Sequence, residues 1–204
     1  NWVTTKTSFS SFQDASIFVS LPSVVQGFPV SVRLRNVVSN GQVKFDTKIY
    51  QANDSFCSKQ WRIPASLKSP LSVAWLAIES GAFNITTSTF IIGKGPITRQ
   101  DNTVNNQNNF IRFTFPSGCG SSSLVCSFGS GVTLGVIGQL QTLVYDRFLT
   151  PRIMALQRRF VRIVLQPHDS TDPNYYVMTN PETLSYLAFM TDTTIICKGG
   201  LTLE

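Results

Sequence analysis

Hydrophobic and polar residues alternate with a period of two along most of this chain, and a helical period is hard to find. In "QVKFDTKIYQ" (42–51), Val43, Phe45, Thr47 and Ile49 fall on one side and Lys44, Asp46, Lys48 and Tyr50 on the other. "VSVRLRNV" (30–37) opposes Val30, Val32 and Leu34 to Ser31, Arg33 and Arg35. "NFIRFTF" (109–115) opposes Ile111, Phe113 and Phe115 to Phe110, Arg112 and Thr114. β-Branched and aromatic residues at that period predict strands with one face on a core and the other towards water. Turn-forming clusters separate them: "SNG" at 39–41, "KGP" at 94–96, "PSGCGSSS" at 116–123 and "STDPN" at 170–174. Short strands without intervening helices predict an all-β protein, an antiparallel sandwich or barrel.

One stretch breaks the alternation. "SPLSVAWLAIESG" (69–81) is apolar on both sides, with Val73, Trp75 and Ala77 opposed to Ala74, Leu76 and Ile78. "NPETLSYLAFMTD" (180–192) repeats it, with Leu184, Tyr186 and Ala188 opposed to Ser185, Leu187 and Phe189. The surroundings repeat as well. "SIFVSLPSV" (16–24) answers to "GVIGQLQTL" (135–143), and "FPVSVRLRNVVSNGQVKFDTKIYQ" (28–51) to "LTPRIMALQRRFVRIVLQ" (149–166). After each copy comes a closing strand and glycine turn, "TFIIGKGPIT" (89–98) and "TTIICKGGLT" (193–202). Segments recurring in one order, with insertions confined to turns, predict two tandem antiparallel β-sandwich domains, residues 1–99 and 100–204. A strand apolar on both faces needs cover on both: a core on one side, the sister unit or a partner subunit on the other. Trp75 and Tyr186 are accordingly expected as core or interface aromatics.

Composition narrows the function. The chain has 204 residues, 14% charged and 42% hydrophobic, with 15 phenylalanines and a formal net charge of +6. That suits a globular protein, and no apolar run reaches the ~20 residues of a membrane-spanning helix. The opening "NWVTTKTSFSSF" lacks the basic and apolar regions of a secretion signal, as expected of a mature or internal stretch. The basic excess comes from few acids, and the one dense run, "RRFVR" (158–162), lacks a recognisable nucleic-acid module, so no nucleic-acid partner is expected. Four cysteines allow three pairings; Cys119 with Cys126 is one bridge candidate, leaving Cys57 with Cys197. No histidine accompanies them, so no metal or other cofactor is expected. Sequons at Asn53 and Asn84, with the even cysteine count, point to a secreted or cell-surface glycoprotein.

The strand pattern resembles the H-type lectin domain of snail agglutinins and the C-terminal part of discoidins. The resemblance rests on "SVAWLAIESG" and "RLRNVVSNG" in the first unit, and on "PRIMALQRRFVRIVLQPH" and "ETLSYLAF" in the second. It implies six-stranded antiparallel sandwiches, assembly as trimers, and binding of galactose-type sugars, N-acetylgalactosamine included. It places the sugar on an arginine of the "R-x-x-A" strand and an aromatic–histidine pair ending the next strand. Here those positions carry Arg152 and His168, with Pro167 where the aromatic belongs. In the first unit Pro29 takes the arginine's place, and that unit has no histidine.

Catalysis is not expected. The single histidine, His168, has no serine elbow to serve, and carboxylates such as Asp46, Glu79 and Glu182 stand as scattered singles. The sequence therefore predicts an extracellular binding or adhesion module with a glycan or a cell-surface protein as partner. It recognises galactose-type glycans through Arg152 and His168, or contacts proteins through its apolar strands.

Overall fold

The structure, a computed structural model, describes residues 2–7, 12–20, 30–38, 41–51, 73–85, 88–98, 111–114, 133–146, 148–157, 160–167, 180–191, 195–196 and 202–203. It is all-β over these residues. The strands are β1 (Val3–Lys6), β2 (Ala15–Ser20), β3 (Val30–Val38), β4 (Lys44–Gln51), β5 (Ala74–Glu79), β6 (Gly81–Ile85) and β7 (Ser88–Ile97). They continue as β8 (Ile111–Thr114), β9 (Thr133–Leu140), β10 (Leu149–Gln157), β11 (Phe160–Pro167), β12 (Glu182–Thr191), β13 (Ile195–Ile196) and β14 (Thr202–Leu203). All pair antiparallel, in sheets ordered β1-β4-β3, β2-β5, β6-β7-β12-β9, β10-β11-β8 and β13-β14. No helix among the described residues is long and apolar enough to cross a membrane.

Two of these sheets share one order with two others. β4 lies between β1 and β3 as β11 lies between β8 and β10, and β5 lies on β2 as β12 lies on β9. Within each of these ladders the register is constant up to a bulge. Phe45 faces Thr5 across one ladder and Val161 faces Phe113 across the other. Three residues further on, Lys48 faces Arg33 and Val164 faces Arg152. Both β3 and β10 carry a bulge, at Arg35/Val38 and Ile153/Ala155. In β3 Asn36 makes the bend at φ 51°, a left-handed conformation that Asn tolerates.

Three apolar clusters fill the spaces between sheets. Ala15, Ile17, Leu34, Val43 and Phe45 close the gap between β2-β5 and β1-β4-β3. A larger cluster, including Ile91, Phe113, Leu140, Val161, Ile163, Leu184, Tyr186 and Ala188, joins β6-β7-β12-β9 to β10-β11-β8. Between them Phe18, Ile92 and Leu187 form a third, with Ile78 and Phe90 against it. So β12 is covered on both faces, Leu184, Tyr186 and Ala188 on one side and Leu187 on the other. The two leucines, Leu184 and Leu187, contribute about 1.5–3 kcal/mol each on full burial.

The expected turn at 94–96 is instead strand, because β7 runs unbroken through Gly93, Lys94, Gly95 and Pro96 along β12. Rings need that space. A Cβ at Gly93 would collide with the Tyr186 ring, and one at Gly95 would come within 2.5 Å of Phe113. Glycine here admits a close aromatic and makes no bend.

Polar contacts tie β2 and β3 to the later strands. Arg33, expected on a solvated face, is fully buried, and its Nη2 donates to Glu182 Oε1 at 2.7 Å and to the Thr142 carbonyl at 3.1 Å. Glu182 also accepts from the Val144 and Tyr145 amides and, at 2.6 Å, from the Thr142 hydroxyl. The Gln141 side chain accepts from the Ile17 amide and donates to the Ile17 carbonyl, while Gln139 donates to the Val32 carbonyl. These amides occupy edge groups of β2 and β3 that would otherwise be buried without partners.

Breaking a buried pair costs more than the pair contributes, because one charge is left behind. Glu182→Ala is expected to destabilise the fold by about 3–5 kcal/mol, with Glu182→Gln, which keeps the acceptor oxygen, losing less. Urea midpoints of the three proteins check this; equal midpoints would contradict it.

Candidate functional site

Arg152 stands exposed on β10, the edge strand of its sheet, opposite Val164. Met154, two residues along, is 57% exposed. Pro167 ends β11 opposite Leu149, and His168 lies outside the described residues. Pro29 also lies outside them. Two strand arginines have different surroundings: Arg33 is sealed against Glu182, whereas Arg152 stands exposed.

A second polar surface was not anticipated. On the outer side of β1-β4-β3, Asp46 accepts from the Thr4 hydroxyl at 2.7 Å, Arg35 Nε at 3.1 Å and Asn36 Nδ2 at 2.8 Å. The Thr4 hydrogen bond foremost, with help from Asn36 and Arg35, holds the Asp46 carboxyl below the usual range, against the opposing effect of burial. The Arg35 guanidinium lies 4.1 Å from the centre of the Trp2 ring. Trp2 meets Tyr50 edge-on at 6.3 Å, and Lys48 sits 4.4 Å over Tyr50. The Tyr50 hydroxyl donates to Asp146, and this bond first, then Lys48, lowers the Asp146 carboxyl. Beside Arg35 opens a cleft of about 530 Å³, lined by Arg35, Asn36, Lys94, Gln141, Thr142 and Thr183 among others. Strand alternation gives Arg35, Lys48 and Tyr50 as a polar face, but the cleft needs β3 brought against residues 141–143, a pairing too distant in sequence to read.

The chemistry available is recognition. The cleft offers the polar side chains of Arg35, Asn36, Lys94, Gln141 and Thr142 in a concavity of small-ligand size. Among the described residues no three His, Cys, Asp or Glu side chains gather as metal ligands would. On β11, the Phe160 ring meets two guanidiniums, Arg112 at 3.9 Å and Arg162 at 5.2 Å, so part of the "RRFVR" run is packed on a ring.

The expected aromatics are placed differently. Tyr186 is buried, its ring 5.3 Å from that of Phe113, and burial pushes its hydroxyl pKa up. Trp75 leans edge-on against Phe45 at 5.7 Å yet remains 39% exposed. Asn84 stands on β6, an edge strand, whereas Asn53, Cys57, Cys119, Cys126 and Cys197 lie outside the described residues. No protein-family model, curated protein or solved structure matches this chain.

The lowered carboxyls set a pH dependence. Asp14, held down chiefly by its hydrogen bond from Lys94, joins Asp46 and Asp146 below the ordinary value of 3.8. A folded-state value below the unfolded one means that folding favours the carboxylate. The stabilisation is complete well above 3.8 and is lost as pH falls through the folded values. Urea midpoints should therefore hold level from neutral pH to about 5 and fall in more acid solution. Asp46→Asn should flatten part of that fall; an identical profile would contradict the assignment.

Proposed function

We propose that the chain is an extracellular binding module, built from tandem β-sandwiches of the H-type lectin kind, that recognises galactose-type glycans. The observation that carries the reading is the repeated strand order, β1-β4-β3 with β2-β5 and β8-β11-β10 with β9-β12. A duplicated sandwich with polar concavities and no gathered acid–base pair among its described residues is suited to holding a ligand. The sequons and the even cysteine count support an oxidising, extracellular setting. Sugar recognition needs planar donors for hydroxyls and an apolar surface for the ring face. Arg152, with His168 following β11, supplies the donors where the resemblance puts them, and the exposed Met154 lies beside Arg152.

A second reading is favoured by the exposed apolar residues Trp75, Leu76, Phe83 and Ile137, at 39%, 50%, 38% and 47% exposure. They lie on β5, β6 and β9 and suit a protein contact better than a sugar. A glycan array decides between the readings. Selective binding to terminal galactose or N-acetylgalactosamine is expected, abolished by Arg152→Ala and changed less than twofold by Arg35→Ala. The reverse pattern would move the site to the cleft beside Arg35, and a blank array at high avidity would contradict sugar recognition.

A further inference from the structure

Charge is unevenly distributed over the strands. In β1-β4-β3 the arginines meet carboxylates, Arg35 with Asp46 on the neighbouring strand and Arg33 with Glu182. β8, β10 and β11 hold Arg112, Arg152 and Arg162 and no carboxylate. The sequence around them continues the bias. From residue 147 to residue 168 the chain carries Arg147, Arg152, Arg158, Arg159 and Arg162, and no Asp, Glu or Lys.

Ladder register puts the three strand arginines on one face. Arg162 stands directly opposite Arg112, and Arg152 opposite Val164, two residues from Arg162. Residues paired across a ladder point to the same side of a sheet, as do residues two apart on a strand. The other side is the core side, with Val161, Ile163 and Leu165. From Arg112 to Arg152 is two strand spacings across and two residues along, ~12 Å between Cα positions. Arg112 and Arg152 are exposed, and Arg162 is half-buried.

Like charges directly opposite one another weaken a ladder. Here both guanidiniums pack on the Phe160 ring, which is itself buried, and this sets two planar forks side by side. An anion bridging them relieves the repulsion and accepts from both. Arginine suits oxyanions that take two parallel hydrogen bonds, such as sulfate. Spacing over three strands suits an extended row of charges more than a single ion. Among the described residues of this face Phe160 is the ring, and its burial leaves no platform for stacked bases, which disfavours nucleic acid. In the extracellular setting proposed above, sulfated polysaccharide is the polyanion within reach.

We propose that the outer face of β10-β11-β8 binds a sulfated polysaccharide, with sulfates seated on Arg112, Arg162 and Arg152. The choice of polyanion rests on the extracellular reading. It needs neither galactose recognition nor the cleft beside Arg35.

Binding of the full chain to immobilised heparin tests it, with circular dichroism as the check on folding. The chain should be retained at physiological ionic strength and released as salt rises. Arg112→Gln/Arg162→Gln should weaken binding about tenfold, and Arg112→Gln alone, at an exposed position, about threefold. Lys6→Gln/Lys44→Gln removes the same charge from an exposed, directly opposed pair on β1 and β4. It should change binding by less than about twofold, since salt screens distant charges. Desulfated heparin and single-stranded DNA should each bind about tenfold more weakly than heparin. Galactose recognition is read separately on the array with Arg152→Ala, so either reading can fail alone. No retention, equal losses in the arginine and lysine variants, or equal affinity for desulfated heparin or DNA would each overturn the proposal.

Discussion

A strand that is apolar on both faces gains from cover on both, and β12 has it. Its even-numbered residues Leu184, Tyr186 and Ala188 belong to one core, and Leu187 belongs to the contact with Phe18 of β2 and Ile92 of β7. Covering it twice forces the β2-β5 sheet against the β6-β7-β12-β9 sheet. The other features at this junction follow from that contact. Stacking the sheets brings β3 beside residues 139–145, where Arg33 and Glu182 are sealed together and Gln139 and Gln141 satisfy strand edges. The same approach opens the cleft beside Arg35, so apolar cover creates the polar concavity.

The buried charge pair adds selectivity to this contact more than strength. Arg33 and Glu182 are 149 residues apart, and each has lost its water. Their mutual attraction offsets a desolvation cost of several kcal/mol per ion, and the hydrogen bonds from Thr142, Val144 and Tyr145 help complete the balance. Any other seating of β3 on the later strands would leave one of the two charges buried alone. Such a pair therefore favours one register of the two halves.

Much of the strand pattern was legible in the sequence, since period-two alternation depends only on which residues face the core. The core faces of β4 and β8 and the double cover of β12 follow from it, whereas β5, equally apolar, leaves Trp75 and Leu76 partly exposed. Two local signals misled for physical reasons. Gly93 and Gly95 read as a turn, because glycine's tolerance of bends looks the same in sequence as its lack of a side chain. Arg33 read as solvated, because its cover comes from Glu182 and Thr142, and no local pattern announces a partner so far along the chain. The cleft beside Arg35 was invisible for the same reason: its walls meet only when the sheets stack.

Native-state hydrogen exchange at low denaturant tests the central claim most directly, because it reads the opening free energy of each strand separately. If stacking of β2-β5 on β12 holds the structure together, the amides of 15–20 and of 182–191 open with one free energy and one denaturant dependence. Should residues 15–20 open at markedly lower free energy while 182–191 stay protected, the contact between the sheets is dispensable and the account fails.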